Sequence, residues 1–134
     1  MLLRLMPHKG GDGTVHGIIA MNDTGSDILS LFHSDIPHLG NIQGYSGWDG
    51  LVSVSCANSA INNYPKIEVE VQLVRDDNTA WSDWFEEVAM VQPDSPGLLR
   101  LSGCGIRNVL YLGTSPGNHS LPVATTKGGL TSLL

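Results

Sequence analysis

Between two apolar runs, Ile18-Ile19-Ala20-Met21 and Ile28-Leu29, the chain carries Asn22-Asp23-Thr24-Gly25-Ser26-Asp27. A carboxylate at the end of a buried strand is costly unless it is hydrogen-bonded or shares a proton. Thr24 and Ser26 supply short hydroxyls, and Gly25 lets another backbone approach closely. The set suits an acid held at the floor of a cleft, and the chemistry such an acid offers is proton transfer. The same residue types also make an ordinary turn after a strand, because Asp, Gly and Ser are common in turns. The remainder of the chain has to decide between the two.

The 134 residues fit one domain, residues 1–134, with 41% hydrophobic and 15% charged residues, 16 Gly and 7 Pro. Short apolar stretches broken by turn residues point to a mostly β fold. The net charge of -6, without a cluster of Lys or Arg, argues against a nucleic-acid partner. No apolar run is long enough for a membrane span, and Met1–Met6 is too short for a signal-peptide core. Cys56 and Cys104 make no disulfide framework, and no Cys/His spacing suggests zinc. His8, His16, His33, His38 and His119 are scattered and read as polar surface. Asn22-Asp23-Thr24 and Asn118-His119-Ser120 match the glycosylation pattern. A glycan on Asn22 would crowd Asp23, which favours an intracellular setting.

The elements that would position Asp23 follow from periodicity. Leu2–Met6 and Thr14–Met21 read as an opening hairpin that delivers the acid, and Ile28–Phe32 as the strand leaving it. His33–Gly47, rich in Pro and Gly, reads as a long surface loop. Leu51–Cys56 alternates as a strand, turns at Ala57-Asn58-Ser59, and resumes from Ile61. Ile67, Val69, Val71 and Leu73 form the clearest period-two face, with Trp81–Val91 as its returning partner. Leu98–Gly103 reads as a short strand and Gly105–Leu112 as the one helix. Leu121–Thr125 follows as a last strand, and Leu130–Leu134 as an apolar tail.

This order, together with Asp23-Thr24-Gly25-Ser26-Asp27 and the later Ile106-Arg107-Asn108, resembles the retropepsins, the retroviral and retroelement-type aspartic proteases, over nearly the whole chain. The resemblance implies a closed, orthogonal β-barrel with one short C-terminal helix. It also implies a homodimer, since one short chain has only one such loop. Asp23 would be catalytic, with Thr24 bonding across the two loops, Gly25 offering backbone to substrate and Ser26 reaching an outer carboxylate oxygen. Asp27 and Arg107 would form a desolvated, bidentate ion pair bracing the loop. The terminal runs Leu2–Met6 and Leu130–Leu134 would pair as strands between subunits.

The departures are specific. Asn22 stands where the family usually has a large apolar residue, and Gly103-Cys104-Gly105-Ile106-Arg107 is longer than the family's Gly-Arg step. The hairpin tip Cys56-Ala57-Asn58-Ser59 lacks flap glycines, so the Gly44–Gly50 stretch, with Tyr45 and Trp48, competes as the cleft cover. The implied activity is cofactor-free hydrolysis of a peptide or protein substrate. An inert retropepsin-like module for dimerisation or peptide binding, and an unrelated β-rich binding domain, remain as rivals.

Overall fold

A computed structural model describes all 134 residues. Strands β1 (Leu2–Leu5), β2 (Val15–Gly17), β3 (Leu29–Phe32), β4 (Trp48–Ser55), β5 (Ile61–Gln72) and β6 (Phe85–Gln92) form one sheet. Strands β7 (Tyr111–Leu112) and β8 (Val123–Ala124) form a separate ribbon. Helix α1 spans Gly105–Val109 and α2 spans Lys127–Leu133. No helix is long and apolar enough to cross a membrane.

The long strand β5 organises the sheet, as its alternation requires. Ile67, Val69 and Val71 are buried, while Glu68, Glu70 and Gln72 face the opposite, partly exposed side. Leu3 and Leu5 of β1 share the buried face, because β1 pairs antiparallel with β5 in the register Leu3↔Val71 and Leu5↔Val69. β6 flanks β5 on its other side, and β3 lies parallel to β6. All four residues of β3 are buried, as expected of a parallel strand covered on both faces. Leu29, Leu31, Ile36, Leu39 and Tyr45 complete the main core.

Several expectations give way here. The strand path β2-β1-β5-β6-β3, with β4 on β5, is open, and no closed barrel forms. There are two short helices rather than one. The expected helix over Gly105–Leu112 ends at Val109, and Tyr111–Leu112 turns into a strand because Val123–Ala124 offers it a pairing edge. Leu98–Gly103 forms no regular strand, only a bridge at Leu101. The His33–Gly47 stretch is no simple surface loop: His33–Leu39 is a 3-10 helix, whose three-residue period puts Ile36 and Leu39 on one buried face.

The terminal runs also behave differently from expectation. β1 has neighbours on both sides, β2 and β5, so it has no free edge for a second subunit. The Leu130–Leu134 run is largely helical, with Thr126 as N-cap accepting the Gly129 N–H at 3.0 Å. A helix satisfies its own backbone groups and offers no strand edge. Leu3→Ala should therefore cost about 2–5 kcal/mol in a urea melt. Leu134→Ala, half exposed at the end of α2, should change the midpoint little.

Candidate active site

The Asp23 loop is a bend between two arms, Met21 on the entering side and Ser30 on the leaving side. A third segment, Arg100-Leu101-Ser102, is inserted between them. On one side the Met21 N–H donates to the Arg100 carbonyl at 2.8 Å, and the Ser102 N–H to the Met21 carbonyl at 2.9 Å. On the other side the Ser30 N–H donates to the Leu101 carbonyl at 3.0 Å, and the Leu101 N–H to Ser30 Oγ at 2.6 Å. Ser30 and Ser102 are buried, and each supplies a hydroxyl where the bend leaves a backbone donor without a strand partner. Ser102 Oγ accepts the Asp23 N–H at 3.1 Å. Asp23 Oδ1 accepts the Gly25 N–H at 2.9 Å, which closes the turn.

Arg107, from α1, clasps the loop from outside. Its Nη1 donates to the carbonyls of Thr24 (2.6 Å) and Ser26 (3.0 Å), and its Nη2 donates to Asp27 Oδ1 at 2.9 Å. The implied partnership of Asp27 and Arg107 is present, but it is neither desolvated nor bidentate. The Asp27 side chain is 95% exposed and makes a single contact. The guanidinium spends its second nitrogen on loop carbonyls because the Thr24–Ser26 turn points them outward. Ser26 Oγ donates to the Ile28 carbonyl at 2.8 Å rather than to a carboxylate, so it stabilises the turn itself. Thr24 and Gly25 are exposed at the loop's tip.

Asp23, Gly25, Ser26, Asp27 and Ile28 line one wall of a cleft of about 430 Å³. Val52, Ser53, Val54 and Ser55 of β4 line the other, with Met90 and Leu101 also contributing. The β4–β5 hairpin therefore faces the acid. At its tip, the Cys56 N–H donates to the Ala60 carbonyl and the Ser59 N–H to the Cys56 carbonyl, both at 2.9 Å. Asn58 Oδ1 accepts the Ala60 N–H at 3.0 Å, and Ser59 takes a positive φ of 64°. A polar Asx-type turn thus does the work expected of glycine. The competing stretch is anchored elsewhere: Tyr45 is buried, donating to the Glu68 carbonyl at 2.6 Å and accepting the Met6 N–H at 3.0 Å. Trp48 begins β4, paired with Ile67, and neither aromatic lines the cleft.

Beneath α1, Glu87 of β6 is buried with both carboxylate oxygens near the Gly105 N–H, at 3.0 and 3.2 Å. A Cβ on Gly103 would meet the Leu29 backbone nitrogen as well as the Glu87 carboxylate, and one on Gly105 would displace that carboxylate, so the two glycines give the acid its room. Burial pushes the Glu87 carboxyl above the ordinary carboxylate range, against the smaller opposing effects of the Gly105 N–H and the Arg107 charge. No group of three or more His, Cys, Asp or Glu side chains is placed to hold a metal ion.

Sequence reasoning did not single out Ser30, Ser102, Asp35 or Arg100 for the site. Ser102 carried one signal, a hydroxyl closing an apolar segment just before Gly103. Comparison of the chain with family models, with curated proteins and with solved structures gives no match.

Two substitutions test this geometry. Asn22 Oδ1 is buried without a partner beside an apolar pocket of about 290 Å³ lined by Ile18, Leu73, Trp81, Ile106 and Leu110 among others. Asn22→Leu removes the unpaired acceptor and should stabilise the chain by about 1 kcal/mol, read as a raised urea midpoint. For Glu87, the folded state holds the proton more tightly than the unfolded chain. Its contribution is complete below the ordinary carboxylate range and is lost as pH rises through the raised value. Thermal melts at about pH 4 and about pH 7 should therefore show wild type losing more stability than Glu87→Gln, which is neutral throughout.

Proposed function

We propose that the chain is an aspartic endopeptidase of the retropepsin kind, acting as a homodimer in which each subunit contributes one Asp23. The observation that carries this reading is the Asp23 carboxyl-bearing loop, bound to an inserted strand-like segment and facing a β-hairpin across a cleft. Two carboxyl groups brought within a few ångströms cannot both ionise easily, so such a pair shares one proton. The ionised member takes a proton from a water, which attacks the peptide carbonyl. The protonated member donates to the carbonyl oxygen. The β4–β5 hairpin covers an extended peptide and excludes solvent. On this reading the open sheet and the β7–β8 ribbon stand in the place of the family's barrel.

Association would have to use a surface other than the chain ends. Ile19 is 90% exposed, and Met21, Leu98 and Leu99 are also exposed apolar side chains. All four belong to the segments that carry the Asp23 bend and its inserted neighbour, so a two-fold contact there would bring the two loops together.

Cleavage of an unstructured protein should fall more steeply than enzyme concentration on dilution, and its pH profile should be bell-shaped on the acid side. Asp23→Asn should abolish cleavage while leaving the melting curve nearly unchanged, and Ile19→Asp should weaken association in sedimentation. Undiminished cleavage by Asp23→Asn would overturn the protease reading. Peptide binding by wild type without any cleavage would instead make the chain an inert peptide-binding module.

A further inference from the structure

Asp35 has the most fully occupied carboxylate in the molecule, and it lies outside the cleft. It is 2% exposed, in the 3-10 helix that follows β3. Its Oδ2 accepts the Phe32 N–H at 2.9 Å and Arg100 Nε at 2.9 Å. Its Oδ1 accepts Arg100 Nη2 at 2.8 Å and is 3.1 Å from His16 Nε2. The Arg100 guanidinium also lies over the Phe32 ring, 4.9 Å from its centroid. Burial alone would raise the Asp35 carboxyl, but Arg100, the Phe32 N–H and His16 outweigh it and hold the group below its ordinary range.

The placement of these partners gives the network its meaning. His16 belongs to β2, on the way into the Asp23 bend. Phe32 ends β3, on the way out. Arg100 begins the inserted segment, and its carbonyl receives the Met21 N–H. One buried carboxylate therefore ties together the entry, the exit and the insert. The insert in turn presents Ser102 Oγ to the Asp23 N–H.

We propose that Asp35 and Arg100 are positioning residues for Asp23, fixing the register of the Arg100–Ser102 insert on which the Asp23 backbone rests. The proposal rests on the protease reading where it concerns catalysis, and stands apart from it where it concerns the geometry of the loop. The bidentate fork fixes both distance and rotation of Arg100, which a single contact through a flexible ammonium would not. The exposed Asp27–Arg107 contact cannot do this, because it holds the turn's outer carbonyls and not the insert.

The test combines amide hydrogen exchange with turnover in Arg100→Lys, which keeps the charge and loses the fork. Exchange at the Met21 and Asp23 amides should accelerate on the order of tenfold relative to a β5 reference amide such as Val69. The kcat should fall by a similar factor with KM nearly unchanged. Should Arg100→Lys fail to fold, the pair Asp35→Leu with Arg100→Met removes both charges of the ion pair together, so that no unpartnered carboxylate is left buried. That variant should fold while leaving the Met21 and Asp23 amides unprotected.

Wild-type protection at both amides in a folded variant would overturn the proposal, as would unchanged kcat beside an active wild type. A wild-type protein that cleaves nothing would sink the protease reading alone, and exchange would then decide the role of the brace by itself.

Discussion

Three residues of backbone, Arg100 to Ser102, have to be placed between two other segments without leaving a polar group unsatisfied. A buried N–H or carbonyl without a partner costs as much as a lost hydrogen bond or more. The arms around Asp23 meet that demand: Met21 serves one side of the insert and Ser30 the other. Where the bend breaks the regular ladder, the Ser30 and Ser102 hydroxyls take over. The position of Asp23 is thus a by-product of solving a hydrogen-bonding problem in the core. The Asp23 backbone cannot drift without undoing its bond to Ser102.

The charged groups divide the labour around that core. Asp35 is buried and fully paired, so it fixes geometry from below. Arg107 works at the surface, neutralising the outward carbonyls of the turn, with exposed Asp27 as a minor partner. Glu87 is a third arrangement, buried with one backbone donor and two glycines pressed against it, which ties α1 to β6. The interior pair, the exposed clasp and the single buried acid respond differently to salt and pH. The clasp, with Asp27 almost fully exposed, is the most open of the three to screening by added ions.

Much of this was legible in the chain. Alternation exposed the second half of β5, which has one buried and one wetter face, and β6 followed as its returning partner although its last four residues are all buried. The Asp23 loop was legible from its local residue chemistry, whereas Arg107, 80 residues from Asp27, was singled out through the resemblance alone. The insert was not, since Leu98–Leu101 reads as any short apolar run and its partners lie far away in sequence. Asp35 was hidden for a related reason: in a turn-rich stretch an acid looks solvated, and the largest offset to its burial comes from Arg100, 65 residues on. The apolar C-terminal run was misread because a short Leu-containing segment does not distinguish strand from helix. The Thr126 cap was the overlooked cue.

The separations along the chain have a consequence for how the molecule is made. Ser102 meets Asp23 across 79 residues, Arg107 meets Asp27 across 80, and Arg100 meets Asp35 across 65. Closing such long loops costs entropy before any bond rewards it, which places these contacts late and slow in folding. As the chain leaves a ribosome, the opening hairpin and the Asp23 segment emerge well before the residues that hold them. The turn's own short-range bonds can form at once, but the contacts that seat the bend in the core have to wait for Ser102 and Arg107.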